Sequence, residues 1–339
     1  MKTKYSPKVA HIDITNNCNL NCLHCRVLDN HKETNVLYNL NFEDIKKLLM
    51  QLKKWGSIEW ISIGGGEPLL RKDLFDIISL SKKLGFKTLL VTNGTLVDKN
   101  IVEKLEKAEL NRVQISIDGM KKTTHEKIRG KNTFDMAVNS VNYFLKSKIE
   151  TTIRMVITKI NYKETEDFIK YFASKGVPSI SIRRFVPVGN SSKNFKELYL
   201  DSKVYYNILK KAILIGEKLN VKIASGDPLL SIVKTDLKKI DIEGYIGGCT
   251  PGITYLYISY DGKIKPCPML DISLGDIKKD NIRKIWENSD FYKKIRNREI
   301  SGKCGECKYK WICGGCRANA LYLNKNLWGE DPLCWMIKK

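Results

Sequence analysis

The chain has 339 residues, of which 42% are hydrophobic, so it is long enough to bury one large core and an appended module. It contains no apolar run of about 18 residues, which excludes a membrane-spanning helix. It also shows no apolar N-terminal signal segment, so we expect a reducing cytoplasm, in which its ten cysteines would bind metal rather than form disulfides. The net charge of +22 is spread along the chain, which indicates a solvated surface suited to an acidic substrate or partner and argues against nucleic acid.

Strand-like runs rich in Ile, Val and Thr alternate with amphipathic helical stretches over the first part of the chain. The predicted strands are Val9–Thr15, Trp60–Ile63, Thr88–Thr92, Val113–Ile117, Thr151–Thr158 and Ser179–Phe185. The predicted helices are Phe42–Trp55, Asp73–Leu84, Asp98–Ala108, Thr133–Lys146, Tyr162–Lys175 and Ser202–Leu219. Six such units predict an α/β fold with a parallel sheet and right-handed crossovers.

The pattern changes after about Gly226, where Pro, Gly and Cys become frequent. Tyr255–Ser259 and Lys263–Cys267 flank an Asp-Gly turn and predict a β-hairpin, and a short helix is predicted at Ile282–Asn288. We therefore expect a first domain over residues 1–235 and a second over residues 236–339.

The first cysteine group is Cys18, Cys22 and Cys25, on one short loop after the first predicted strand. Three thiolates at these spacings can hold three irons of a [4Fe–4S] cluster, which normally takes four. With no fourth cysteine nearby, one iron is left open for a substrate. The alternatives are three reduced surface thiols or part of a zinc site.

The C-x3-C-x2-C spacing after the first strand resembles the signature of the radical S-adenosylmethionine (SAM) enzymes. The resemblance implies a partial (β/α)6 TIM-like barrel, with SAM bound to the open iron and cleaved to a 5′-deoxyadenosyl radical that abstracts a hydrogen atom from the substrate. His24 occupies the position where the family usually has an aromatic ring near the adenine, although a role in core packing is an equal alternative.

The resemblance also implies SAM contacts at the ends of the predicted strands and shortly after them. These residues are Gly65, Gly66, Glu67, Asn93, Ser116, Asp118 and Arg129. Glu67 is expected to bind the SAM amino group and Arg129 the SAM carboxylate. The alternative readings are ordinary turns at the Asn-Gly and Asp-Gly pairs and a surface role for the arginine. Arg154, on the fifth predicted strand, is a second candidate for the SAM carboxylate. Arg183 and Arg184 end the sixth predicted strand, and one of them is expected to point inward and meet an acidic substrate group. No catalytic acid or base can be assigned.

A second cysteine group fills the last hundred residues and closely resembles the SPASM extension of radical SAM enzymes, a small cysteine-rich module. Its members are Cys249, Cys267, Cys304, Cys307, Cys313, Cys316 and Cys334. The resemblance implies an auxiliary cluster I on Cys249, Cys267 and Cys316, with an open or non-cysteine fourth site. It implies a fully ligated auxiliary cluster II on Cys304, Cys307, Cys313 and Cys334. A zinc ribbon is the alternative, although seven cysteines would satisfy one ion and leave three over.

Together these features predict a SPASM-type radical SAM enzyme with three [4Fe–4S] clusters and SAM. Oxidative modification of a peptide or protein is the first expectation for its activity, with tetrapyrrole side-chain modification in a haem or haem d1 pathway, or tungsten-cofactor modification, as the alternative. The expected partners are an acidic peptide or small-molecule substrate and a low-potential donor such as ferredoxin or flavodoxin. An Fe–S electron carrier and a zinc-binding adaptor are poorer alternatives, since neither needs a SAM pocket.

Overall fold

A computed structural model describes residues 5–26, 40–238 and 248–337. Its strands form one sheet in the order β10-β9-β8-β1-β2-β3-β4-β5-β6-β7. The strands are β1 (Val9–Thr15), β2 (Trp60–Gly65), β3 (Lys87–Thr92), β4 (Arg112–Ser116), β5 (Glu150–Ile157), β6 (Ser179–Arg184), β7 (Lys222–Ala224), β8 (Tyr255–Ile258), β9 (Lys263–Lys265) and β10 (Gly275–Asp276). Neighbours from β1 to β7 pair in parallel, as does β8 with β1, whereas β9 is antiparallel to β8 and β10.

Helices connect the parallel strands, as a parallel sheet requires. In the first part of the chain they are α1 (Phe42–Trp55), α2 (Leu74–Lys83), α3 (Lys99–Lys107), α4 (Lys122–Arg129), α5 (Phe134–Phe144), α6 (Thr165–Ser174), α7 (Phe195–Leu198), α8 (Ser202–Lys218) and α9 (Leu229–Lys238). The last part carries α10 (Ile282–Asn288), α11 (Asp290–Arg296), α12 (Gly302–Glu306) and α13 (Arg317–Asn324). Within the described ranges, no helix is long and apolar enough to cross a membrane.

The two faces of the parallel strands have opposite characters. On β1, Ala10, Ile12 and Ile14 are fully buried in the hydrophobic core, whereas the alternating residues His11 and Asp13 belong to the polar opposite face. Side chains alternate between the two faces of a strand, so the aliphatic set packs outward under the helices. The sheet therefore encloses a polar interior rather than a second apolar layer.

The sheet curls into a partial barrel, as the resemblance implies. Tyr255 on β8 and Arg183 on β6 line the same cavity, although five strands separate β8 from β6 in the sheet order. The right-handed twist of neighbouring strands accumulates over such a wide sheet and brings its two ends toward each other. The cavity therefore lies inside the curl, next to the C-terminal module.

The structure contains elements that were not predicted, among them the helices α4, α7, α9 and α11 to α13 and the strands β7 and β10. The short strand β7 extends the sheet beyond β6, and three residues are too few for a periodic signal. The predicted hairpin is present as β8 and β9, but it is not a separate sheet, because β8 pairs with the free edge of β1. Covering that edge removes a row of unpaired backbone groups. The domain boundary expected at residue 235 falls within α9 and stays a prediction.

Candidate active site

The first three cysteines lie on the loop that follows β1, and all are partly exposed. Burial raises the pKa of the Cys22 thiol to about 12 although Arg129 opposes the rise, and the nearby Cys25 and Cys18 add to it. Burial raises the pKa of Cys18 as well, and Cys25 again contributes. Because charge interactions weaken with distance, these mutual effects show that the three thiols are neighbours. The structure therefore brings the predicted triplet together.

Gly65 and Gly66 stand where the end of β2 passes over the backbone of this loop. A Cβ on Gly65 would collide with the carbonyl oxygen of Thr15, and one on Gly66 with that of Asn17. Gly65 also has φ of 133°, a conformation that favours glycine. The close approach that requires glycine here is thus to the chain's own backbone, and a contact with SAM at these two residues stays a prediction.

Glu67 is fully buried and joins β2 to the end of β3. Its carboxylate accepts hydrogen bonds from the Thr92 hydroxyl at 2.8 Å, the Asn93 amide at 2.8 Å and the Leu69 amide at 3.1 Å. Burial raises the pKa of Glu67, and these donors oppose the rise. Three of its acceptor positions are used by the protein, so the structure gives Glu67 a positioning role whether or not it also meets the SAM amino group.

Asn93 and Ser116 lie at the ends of β3 and β4, and both side chains are largely buried. The Asn93 amide nitrogen donates to Asn19 Oδ1 at 2.9 Å and approaches Cys18 Sγ at 3.9 Å. Ser116 pairs in register with Arg154 of β5. Asn93 therefore lies beside the cysteine loop, and Ser116 lies next to an arginine of the interior.

Asp118, fully buried, connects two other predicted residues to the loop. Its Oδ2 accepts from Arg129 Nε at 2.6 Å and contacts His24 Nε2 at 2.6 Å, and its Oδ1 accepts from the Val156 amide at 2.7 Å. Burial would raise the pKa of Asp118, but Arg129 and His24 hold it well below its usual range. Arg129 Nη1 also approaches Cys22 Sγ at 3.9 Å. Arg129 is therefore no ordinary surface arginine, because it already pairs with Asp118.

A second polar network was missed by the sequence reasoning. Asp13 contacts His11 Nε2 at 3.0 Å through Oδ1 and, through Oδ2, accepts from Arg26 at 2.6 Å and from the Tyr257 hydroxyl at 2.5 Å. Burial would raise the pKa of Asp13, and Arg26 holds it well below its usual range. The alternation of polar and aliphatic residues along β1 could have revealed the interior face. No local pattern joins Asp13 to its partners, because Arg26 lies 13 residues away beyond the cysteine loop and Tyr257 lies 244 residues away.

The arginines at the end of β6 have different surroundings. Arg184 forms ion pairs with Asp331 at 2.7 Å and with Asp227 at 3.1 Å. Asp331 also accepts from the Cys316 amide at 3.0 Å, so this pair ties β6 to the module. The other arginine, Arg183, lines the cavity that Tyr255 also lines.

The cysteines of the module fall into two neighbourhoods. Burial raises the pKa of Cys267 to about 12 and also raises that of Cys316, and Cys249 contributes to both rises. Cys249, Cys267 and Cys316 all line the cavity that holds Arg183 and Tyr255. The set predicted for auxiliary cluster I is therefore gathered at the barrel interior.

The other four cysteines lie together on the far side of this set. Burial raises the pKa of Cys313, with contributions from Cys334 and Cys304, and Cys307 contributes to the raised pKa of Cys304. The amides of Gly315, Asp331 and Tyr309 approach the sulfur atoms of Cys313, Cys304 and Cys307, each at 3.4 Å. Backbone donors aimed at sulfur stabilise thiolate ligands.

The donor sets fit iron–sulfur clusters better than single ions. Within the described ranges, no three His, Cys, Asp or Glu side chains converge closely enough to hold one metal ion. Each iron of a four-iron cluster takes its own thiolate, so its cysteines are spaced more widely than the ligands of one zinc ion. The residues present therefore fit the clusters that the resemblance implies, while the ligation itself stays a prediction.

Two neighbouring cavities lie inside the curl of the sheet. The first is lined by Arg183, Tyr255 and the cysteines predicted for auxiliary cluster I, and has an empty volume of about 910 Å³ including its mouth. The second, next to Asp13 and Gly66, shares Pro268 with the first. The second cavity is also lined by Arg26, which directly follows Cys25 of the first triplet.

Two family models match this chain. The radical SAM superfamily model matches residues 12–172, and the iron–sulfur cluster-binding SPASM domain matches residues 249–308. Among curated proteins, the AdoMet-dependent heme synthase of Methanosarcina barkeri is 30% identical, over 97% of this chain and 96% of the relative. The mycofactocin maturase MftC of Mycolicibacterium smegmatis is 24% identical over 95% of this chain and 81% of the relative.

Among solved structures, Streptococcus suis SuiB bound to the precursor peptide SuiA has the same fold. Its TM-score is 0.80 with 22% identity, covering 97% of this chain and 76% of SuiB. At this identity the likeness concerns the fold alone.

Proposed function

We propose that this chain, which belongs to the radical SAM superfamily and carries a SPASM iron–sulfur domain, acts on an iron-bearing tetrapyrrole. The proposed reaction is the oxidation of its propionate side chains. The observation that carries the proposal is the cavity that Arg183 and Tyr255 line together with Cys249, Cys267 and Cys316. It combines a cation for an acidic substrate with a thiolate set for an electron acceptor. Similarity to a heme synthase over nearly the whole of both chains supports the tetrapyrrole as substrate.

The proposed cofactors are SAM and three [4Fe–4S] clusters. Cys18, Cys22 and Cys25 would hold the cluster that binds SAM. Cys249, Cys267 and Cys316 would hold auxiliary cluster I, and Cys304, Cys307, Cys313 and Cys334 would hold auxiliary cluster II. When bound, these groups supply a hydrogen-abstracting adenosyl radical and an acceptor for one electron.

The overall change at each propionate balances with SAM, the auxiliary acceptor and a low-potential electron donor as the co-reactants. The side chain –CH2–CH2–COO⁻ becomes –CH=CH2 and CO2, and loses one hydrogen atom and one electron. The hydrogen atom ends in 5′-deoxyadenosine, and the electron goes to the auxiliary set. A low-potential donor such as flavodoxin or ferredoxin supplies the electron that each SAM cleavage consumes.

The chain's own residues position and shield this chemistry. Glu67, whose amide donates to the Asn17 carbonyl, and Asp118, which contacts His24, connect the strand ends to the cysteine loop and would hold it in place beneath SAM. Arg129, held by Asp118, directs its positive charge at Cys22 and would stabilise the anionic cluster there. The curled sheet and the module surround the cavity and limit the access of water to a reactive radical.

The test is a turnover assay with anaerobically reconstituted protein, SAM, dithionite and Fe-coproporphyrin III. We expect 5′-deoxyadenosine, and a porphyrin product that has lost the mass of CO2 and two hydrogen atoms for each modified propionate. The variant in which Cys18, Cys22 and Cys25 are all alanine serves as the control and should give neither product. An unchanged porphyrin mass in the presence of SAM cleavage would contradict the tetrapyrrole as substrate.

Peptide modification is the second candidate function. The similarity to the mycofactocin maturase MftC supports this candidate, and SuiB, which binds a precursor peptide, has the same fold. A precursor peptide encoded beside this gene, offered in the same assay, separates the two candidates. Modification of the peptide with no change in the porphyrin would select the maturase activity.

A further inference from the structure

Five arginines lie around the polar interior of the barrel. They are Arg26, Arg129, Arg154, Arg183 and Arg184. Three of them already hold a carboxylate: Arg26 pairs with Asp13, Arg129 with Asp118, and Arg184 with both Asp227 and Asp331. Buried charges in proteins are normally neutralised in this way, because an isolated buried ion is costly.

Arg154 and Arg183 are the exceptions. In the part of the chain that the structure describes, neither forms an ion pair, and the Nε atom of each is buried without a hydrogen-bond partner. Burial lowers the pKa of Arg154 well below its usual value, and the like charge of Arg183 lowers it further. Each of the two guanidinium groups therefore lacks an acidic partner within the described ranges, and the charge of Arg183 acts on Arg154.

The strand register explains why the two arginines converge. Arg154 of β5 lies opposite Ser181 of β6, and Val156 lies opposite Arg183. Arg154 and Arg183 thus occupy diagonal positions on one face of two adjacent strands, within reach of long side chains. Tyr255 lies near both arginines. It lines the same cavity as Arg183, which lowers the pKa of Tyr255 against the effect of burial. Tyr255 in turn opposes the lowering of the pKa of Arg154.

We propose that Arg154 and Arg183 together bind a carboxylate of the substrate that is retained in the reaction. A carboxylate fills the gap between two guanidinium groups with paired, charge-assisted hydrogen bonds, as Arg geometry favours. Two cations stabilise an ionised carboxylate against its loss as CO2, so the carboxylate they hold differs from the one that reacts. The substrate class is therefore a molecule with at least two carboxylates, and the site orients it toward the cavity lined by Cys249, Cys267 and Cys316.

This inference rests on the proposed function and names the part of the substrate that the two arginines bind. Two probes therefore test the carboxylate site and the tetrapyrrole substrate separately. Glutarate tests the carboxylate site alone, by isothermal titration of the reconstituted enzyme. Fe-coproporphyrin III and its tetramethyl ester test the site with the proposed substrate, by absorbance titration. The variants are Arg154→Gln and Arg183→Gln, and Arg283→Gln is the matched control, because Arg283 is an exposed helix residue paired with Glu287.

We expect the loss of either arginine to weaken binding of both free acids by about tenfold or more, the usual effect of losing a charged hydrogen bond. The double variant should lose less than the product of the two single effects, since both arginines hold one group. The tetramethyl ester should bind weakly to every form, and Arg283→Gln should behave as wild type. Unchanged iron content and unchanged unfolding temperature would exclude misfolding.

Each outcome then has one meaning. If glutarate binds equally to wild type and to the double variant, the carboxylate site is overturned, even if the porphyrin is converted. If glutarate binding depends on both arginines but Fe-coproporphyrin III is not bound, the site stands and the tetrapyrrole function fails. If the acid and its ester respond alike to the variants, the arginines contact some other part of the molecule and the inference is wrong.

Discussion

The two cysteine regions are assembled in different ways. Cys18, Cys22 and Cys25 come from one loop of eight residues at the end of β1, and the surrounding polar groups come from the neighbouring strands. The cysteines of the module come from segments that are far apart between Cys249 and Cys334. The first region is thus a local loop placed on the barrel, whereas the second exists only when the module is folded.

The two regions also differ in what lies next to the sulfur atoms. Side chains of Asn93 and Arg129 approach Cys18 and Cys22, so polar and cationic groups surround the first triplet. Backbone amides approach three of the four cysteines predicted for auxiliary cluster II. The difference is one of degree, since a backbone hydrogen bond from Leu20 also reaches Cys18 and the charge of Arg317 acts on Cys304.

The largest effect should follow from removing the first region alone. Replacing Cys18, Cys22 and Cys25 by alanine should abolish formation of 5′-deoxyadenosine and remove about four irons per chain, since one cubane is lost. Iron analysis and chromatography of the SAM products give the two readouts. Because the module folds from other segments, its iron should remain. A triple variant that still cleaves SAM would mean that the catalytic cluster lies elsewhere.

The stability and the iron content of the module should depend on its connection to the barrel. Asp331→Asn weakens the buried ion pair with Arg184, which keeps Asp227 as a partner, and should cost about 1.5–3 kcal/mol in the free energy of unfolding, together with part of the auxiliary iron. Denaturant titration and iron analysis measure both. Asp290→Asn is the control, because Asp290 is 88% exposed in its pair with Lys293 and such pairs contribute little. Loss of iron from the first triplet, with the auxiliary iron unchanged, would contradict the prediction that this ion pair supports the auxiliary clusters.

A smaller effect is expected at Glu67. Glu67→Gln places an amide where three donors converge, and should lower the free energy of unfolding by about 1–3 kcal/mol and weaken SAM binding. The iron content should not change, because no cysteine is removed. Equilibrium binding of SAM and iron analysis provide the comparison, with the exposed Glu103→Gln as control. A loss of iron with unchanged SAM affinity would contradict the positioning role.

The smallest effect should distinguish the two auxiliary sets from each other. In the triple cysteine variant, 2-mercaptoethanol should perturb the electron paramagnetic resonance spectrum of one auxiliary cluster only. That cluster is the one proposed on Cys249, Cys267 and Cys316, which line the cavity and for which no fourth cysteine is predicted. Two clusters that respond equally, or neither responding, would contradict the proposed inequivalence.

Sequence reasoning succeeded where the signal was local. Spacing along one loop selected three cysteines that the structure brings together, although their role as ligands stays a prediction. The amphipathic segment Phe42–Trp55 was predicted with the bounds that the structure shows. The pairing of β8 with β1 could not be predicted, because it joins segments more than two hundred residues apart. For the same reason the network of Asp13, Arg26 and Tyr257 was missed, since each partner looks ordinary until the fold unites them.

The most direct test of the account is a metal analysis of the anaerobically reconstituted protein. Three four-iron clusters predict about twelve irons and about twelve acid-labile sulfides per chain, with no stoichiometric zinc. The triplet contributes about four of these irons and the module about eight. A value near four irons, accompanied by one or more zinc ions, would contradict the assignment of the module and with it the proposed route for the electron.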